Sequence, residues 1–390
     1  MLGFMFALLE LFAFVTAKLV DEDDLFDARQ SVFDRYSETG LAEFRAKVAD
    51  PVIGWRNTGP AVHEEDNCLG RPIRYSYDAT GARTYDGYDG RQAEVIVVGD
   101  SYSNGREVAD NETYPARLSE LLGVSVANHG VGGYGPTQSL LYLQQNVSRY
   151  PRARVVVMGI MYENLYRMVN SYRPVLYSGA SDYALKPYMR DGRVVPHPGS
   201  QVFESLELFR RAAQKAFDED FWARPVARFP YSFALLESLT SNNFKYRKLQ
   251  REFRKLGKPE YFLIFANQDV RLNLIALLNE YASMAREWGV QPAVIFIPRN
   301  RFDTSSAAEF IAEHRASIDP HLLMGDVARF PGIAWEKFNL EEVDGDRICH
   351  PSPYGYQIIA KYITEFIVNS EVLAAPSGLS ALGRRGMRSQ

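Results

Sequence analysis

The chain is short of cysteine, histidine and net charge. Two cysteines in 390 residues, Cys68 and Cys349, make neither a disulfide framework nor a metal-ligating cluster. Either they form a single bridge in an oxidising compartment or they are two buried thiols. A net charge of −4 offers no broad basic surface. Zinc-knuckle, recognition-helix and RNA-binding signatures are also missing, so no nucleic-acid partner is expected. Six histidines leave few candidates for a catalytic base. With 46% hydrophobic and 24% charged residues, the composition is that of a globular protein with ample core, in one enlarged domain or two average ones.

One long apolar stretch is present. Residues 1–20 are interrupted only by Glu10 and Lys18. They read as a signal peptide or membrane anchor, which would place the protein outside the cytoplasm, or as a terminal helix packed on the domain. Residues 21–50 are charged and amphipathic, a helical stem or a docked helix with a break at Gly40. Residues 51–90 read as loops and short strands. The last residues, 371–390, are Gly-, Ser- and Arg-rich and are expected to be disordered.

Between these ends the pattern alternates. Val95–Val98 is a β-branched run too short for a helix, as expected of a strand buried on both faces. Tyr114–Leu122 has helical spacing, with Asn111 or Thr113 as its cap. Val124–Ala127, Arg154–Gly159 and Ala293–Ile297 are further strands, with helices over Leu140–Val147, Val270–Trp288, Ala307–Ala316 and Tyr354–Ile367. Ile333–Phe338 also reads as a strand. Strands alternating with helices predict a three-layer α/β/α fold around a mainly parallel sheet. Residues 171–263 interrupt the rhythm as a helical insertion, with helices near Phe203–Phe217 and Tyr231–Leu256, and could form a lid.

The first strand stops at Gly99-Asp100-Ser101, which puts one hydroxyl at the carboxyl edge of the sheet, where open α/β folds build their sites. A serine nucleophile needs a base and a group to orient that base. His350 lies in the turn-rich loop Asp344-Gly345-Asp346-Arg347-Ile348-Cys349-His350, just before the last helix.

Gly99-Asp100-Ser101-Tyr102 resembles the first sequence block of the SGNH (GDSL) hydrolases. Asn128-x-Gly130-x-x-Gly133 resembles the second, Met158 to Asn164 a lengthened third, and the Asp…His350 loop the fifth. The resemblance covers about Val95 to Ile367 and implies a flavodoxin-like SGNH hydrolase fold. It further implies Ser101 as nucleophile, His350 as base and Asp346 as the orienting acid. Ser101 N–H, Gly133 N–H and the Asn164 amide would be the oxyanion donors. Two positions depart from the family. Asp-x-x-His spacing would put the acid at Arg347, so the loop absorbs one residue, or Asp344 serves, or His350 works in a dyad with a backbone carbonyl. Leu165 stands where an aspartate often follows the asparagine.

The activity implied is hydrolysis of an O-acyl ester on a small molecule or a cell-envelope glycan, with no metal or organic cofactor. The same residues could transfer the acyl group to a sugar hydroxyl. A catalytically silent glycan-binding or scaffold protein is the alternative of another class. Gly130-Val131-Gly132-Gly133-Tyr134-Gly135 also satisfies the dinucleotide fingerprint, but the next strand lacks the acid that would hold a ribose. Over residues 245–258 basic side chains interleave with a helical apolar face. That pattern is an ordinary solvated face or a surface for anionic lipid or acidic glycan.

Overall fold

The computed structural model describes residues 1–20, 32–176, 183–223, 229–242, 245, 265, 267–299, 306–340 and 349–373. The expected disorder from residue 374 onward and the helix beyond residue 245 fall outside these. The chain divides into two compact units. One comprises Arg56–Met168, Asp191–Arg193 and Gln268–Gln390, and the other Met1–Trp55, Val169–Arg190 and Val194–Asn267.

The first of these units is α/β. Its sheet has five strands: β1 (Ala93–Gly99), β2 (Ser125–Gly130), β3 (Val155–Met161), β4 (Gln291–Ile297) and β5 (Leu323–Asp326), in the order β5-β4-β3-β1-β2. All neighbours are parallel. The alternation of side chains across a pleated strand explains the layers. Val95, Val97, Val155, Val157, Ala293 and Ile295 share one core cluster with the helices Tyr114–Leu122 and Pro353–Asn369. Ile96, Val98, Val156, Met158, Val294 and Phe296 are equally buried but face the other way. The helices Pro136–Asn146 and Gln268–Glu287 pack on that side, where the Tyr281 hydroxyl donates to Val156 O at 2.9 Å. The three-layer expectation therefore holds.

Sequence signals set the boundaries. Thr113 accepts from Ala116 N at 3.3 Å to start Tyr114–Leu122, and Gly123 ends it in the left-handed region, φ 68°. Ser352 caps the last helix, with Pro353 at its first position. The edge strand was misplaced by sequence. Residues 335–337 form a 3-10 turn after Pro331-Gly332, and the strand lies earlier, at Leu323–Asp326. A short apolar run does not by itself distinguish a strand from a buried turn.

The second unit joins the insertion to the chain's beginning. Val32, Tyr36 and Leu41 share a core with Tyr172, Tyr183, Phe203 and Phe209, so the described part of residues 21–50 packs into this unit and is not a free stem. The expected break at Gly40 is absent. Ser37 caps the helix Glu38–Lys47 by accepting from Gly40 N at 3.0 Å. A Cβ at Gly40 would come within 2.5 Å of the Tyr183 hydroxyl, so the glycine permits close packing and does not break the helix. The helix Leu2–Val20 packs on Tyr231–Thr240, with Phe14 and Tyr231 rings 5.1 Å apart. Among the described residues no helix is long and apolar enough to cross a membrane, so the expected anchor has no spanning helix here.

His129 lies wholly buried in β2, its Nε2 2.6 Å from the Tyr150 hydroxyl. Burial pushes its imidazole down from 6.5 to about 4. The unfolded chain therefore binds the extra proton between these values. Stability is fully present above about pH 6.5 and falls as pH drops toward 4, by about 3 kcal/mol in all. Denaturant midpoints between pH 7 and 4.5 should fall more steeply for the wild type than for His129→Gln; parallel slopes would remove His129 as the source.

Candidate active site

The site begins where β1 ends. Gly99 and Gly130 are register partners on adjacent strands. A Cβ on Gly99 would sit 2.1 Å from Ser103 Oγ, and one on Gly130 2.1 Å from Asn104 N. Two side-chain-free positions thus let the short helix Ser101–Asn104 press against the strand ends. Asp100 caps that helix by accepting from Tyr102 N at 2.8 Å, and its other oxygen accepts from Met161 N at 3.1 Å. Burial pushes the Asp100 carboxyl up, while Asn164 and the two backbone N–H groups pull against it.

Ser101 and His350 are brought together as expected. His350 Nε2 lies 2.8 Å from Ser101 Oγ, across 249 residues of chain. This is hydrogen-bond distance. The His350 side chain keeps 23% exposure, so the pair is reachable from solvent.

Asp346 and Asp344 lie outside the described residues. The acid that the structure places against His350 is Glu107, which sequence reasoning missed. Its Oε1 stands 3.2 Å from His350 Nδ1, and its Oε2 accepts from the His350 backbone N at 3.1 Å. The Nδ1 contact is within ion-pair reach but lacks good hydrogen-bond alignment. Burial alone would raise the Glu107 carboxyl, but the His350 contacts outweigh it and the net shift is downward.

Glu107 has φ 75°, a conformation L residues rarely adopt and one that costs about 1–3 kcal/mol. It is held there by Arg83, which is buried at 1% exposure. The guanidinium donates to Asn104 O at 2.9 Å, Gly105 O at 2.7 Å and Val108 O at 2.6 Å, and pairs with Asp110 at 2.8 Å. Hydrogen bonds from a charged donor are worth about 1.5–3 kcal/mol each, so the set exceeds the strain. From the other side, Cys349 forms a disulfide with Cys68, next to His350. Of the two alternatives left open for the cysteines, the bridge is the one observed.

The expected oxyanion donors fall at the same strand ends. Val131 N donates to Gly99 O at 3.1 Å, which sets the loop carrying Gly133 (φ 84°) beside the turn that carries Ser101. Asn128 Oδ1 accepts from Gly130 N at 3.0 Å, and Asn104 Nδ2 donates to Gly130 O at 2.9 Å, fixing where that loop starts. Asn164 is buried beside Asp100, and its amide atoms make no well-aligned hydrogen bond among the described residues. Glu163 next to it is held by Arg299 at 3.0 Å. The dinucleotide reading gains nothing here, since this loop is committed to the end of β1.

No family model matches the chain, and no curated protein does. Three of the solved structures it resembles are TesA, a member of the lipolytic protein G-D-S-L family from Veillonella parvula DSM 2008, and a GDSL-like lipase from Bacteroides thetaiotaomicron VPI-5482. The identities are 12%, 10% and 13% and the TM-scores 0.31, 0.31 and 0.29. The matches cover 70%, 70% and 71% of this chain and 97%, 97% and 88% of those chains.

A carboxyl held below its ordinary 4.5 favours folding above about pH 4.5, and that contribution is lost as pH falls through the folded value. Glu107→Gln removes it while keeping side-chain length. The stability gap between wild type and this variant, read from denaturant midpoints, should be widest near neutrality and narrow below about pH 4.5. A gap that does not change with pH would mean the carboxylate charge contributes nothing.

Proposed function

We propose that the chain is a serine esterase of SGNH type that hydrolyses an O-acyl ester through an acyl-Ser101 intermediate. The observation that carries the reading is the 2.8 Å approach of His350 Nε2 to Ser101 Oγ, with Glu107 on the far ring nitrogen. In this reading Glu107 keeps the proton on Nδ1, leaving the Nε2 lone pair toward the serine, and stabilises the imidazolium as it forms.

Ser101 Oγ attacks the ester carbonyl as His350 takes its proton. The negative charge that develops on the carbonyl oxygen is met by the N–H groups of Ser101 and Gly133 and by the Asn164 amide. Each such donor is worth roughly 3 kcal/mol in the transition state. Collapse expels the alcohol, which His350 protonates. Water, deprotonated by the same imidazole, then attacks the acyl-enzyme and frees Ser101. The Cys68–Cys349 bridge supports a location in an oxidising compartment, which for a bacterial protein is the cell envelope.

Ser101→Ala should abolish both turnover of a simple aryl acetate and covalent labelling by a fluorophosphonate. Glu107→Gln should still label, more slowly, with kcat/KM lower by about 100- to 10,000-fold. Labelling that survives in Ser101→Ala would refute the nucleophile.

A further inference from the structure

The exposed apolar surface of the described chain is concentrated in one place. Of 17 large hydrophobic side chains that are exposed, 13 lie on Met1–Val15 or between Phe229 and Leu239. Phe4, Leu11 and Phe12 on the first helix are 70%, 57% and 66% exposed, and Phe233 and Leu236 on its partner are 68% and 61%. Water-facing helices are not built this way, and a patch this large marks an interaction surface.

We propose that the helices Leu2–Val20 and Tyr231–Thr240 together form a membrane-docking element that sinks into one leaflet of a lipid bilayer without crossing it. Three observations favour lipid over a protein partner. The first is angular spread. At 100° per residue, the exposed apolar positions from Phe4 to Val15 cover roughly 200° of the helix circumference. A protein groove takes a stripe of about half that width, whereas hydrocarbon surrounds.

The second is the treatment of charge. Glu10 is the only charged side chain among residues 1–17, and it is turned inward to 6% exposure. There it accepts from the backbone N–H groups of Tyr231 and Ser232 and from the Ser232 hydroxyl. The two backbone N–H groups belong to the first turn of the second helix, where no carbonyl of the helix itself can accept them. One contact therefore satisfies both the acid and the helix end, which is what a hydrocarbon environment demands of its polar groups.

The third is the charge just past the second helix. Residues 245–258 carry seven lysines and arginines against one acid, Glu252. Such a run complements anionic headgroups, each basic residue adding attraction at the surface. Because no described helix is long and apolar enough to cross a membrane, docking in a single leaflet is the mode the pair supports.

The test is flotation of the full chain with vesicles of phosphatidylcholine alone and of phosphatidylcholine mixed with phosphatidylglycerol. The wild type should float with both, and more strongly with the anionic mixture at low salt. Phe4→Asp/Phe12→Asp and, separately, Phe233→Asp should each lower the bound fraction about ten-fold or more, with Phe12→Gln intermediate. These positions face outward, so unfolding midpoints should match the wild type. A wild type left at the bottom of the gradient with both vesicles overturns the proposal. So do variants that float as well as the wild type, or variants that only convert a dimer to a monomer in light scattering.

Discussion

A buried guanidinium is the constraint on which the site depends. Arg83 gives up nearly all its hydration and takes in exchange three backbone carbonyls and the Asp110 carboxylate. A cation so placed is tolerable only if every donor is satisfied, and removing one partner leaves the rest costly. The loop it gathers is therefore fixed as a unit, and Glu107 sits inside that loop between the Gly105 and Val108 carbonyls. The strained backbone at Glu107 is tolerated because its neighbours cannot move, and the strained residue is the one that meets His350. Strain at a position so closely held fits a functional carboxylate better than an accident of loop geometry.

The same constraint divides the labour around His350. In a single Asp…His loop, one turn must supply the acid, present the base and hold its own shape. Among the described residues, the carboxylate that meets His350 comes from a remote part of the chain. Arg83 fixes the loop that carries Glu107, and the Cys68–Cys349 bridge ties down the residue before His350. The helix Pro353–Asn369, capped by Ser352, anchors the chain just beyond His350. The backbone N of His350 also donates to Glu107, so main chain and side chain lock onto the same carboxylate. His350 is thus held through its backbone N, its ring and the bridged residue before it.

The strands, most helices and the Ser101–His350 pair were legible because each leaves a local mark. The marks are an uninterrupted β-branched run, a capped amphipathic stretch, and a serine or histidine at a strand or helix end. Glu107 leaves none. It is one acid in an ordinary polar loop, and its partner His350 lies 243 residues away, a pairing that no periodicity encodes. The only hint was Cys349 beside His350, a pairing that could have directed attention to residues near Cys68. The edge strand at Leu323–Asp326 was missed for a related reason. It is four residues long and ends in Gly325-Asp326, so it carries less pattern than the neighbouring apolar run that proved to be a turn.

Glu10 extends the same logic to the other unit. An acid inside an apolar run argues against insertion when read from sequence, since an unpaired carboxylate among lipid tails is prohibitive. In the folded chain the acid is a helix cap supplied from 221 residues away, and its cost is met by donors that themselves needed an acceptor. Glu10 and Glu107 are both carboxylates whose meaning is set by a distant backbone N–H. Composition and spacing register the charge of such residues but not the amides that neutralise it, so Glu10 was read from sequence without its partners and Glu107 was not singled out.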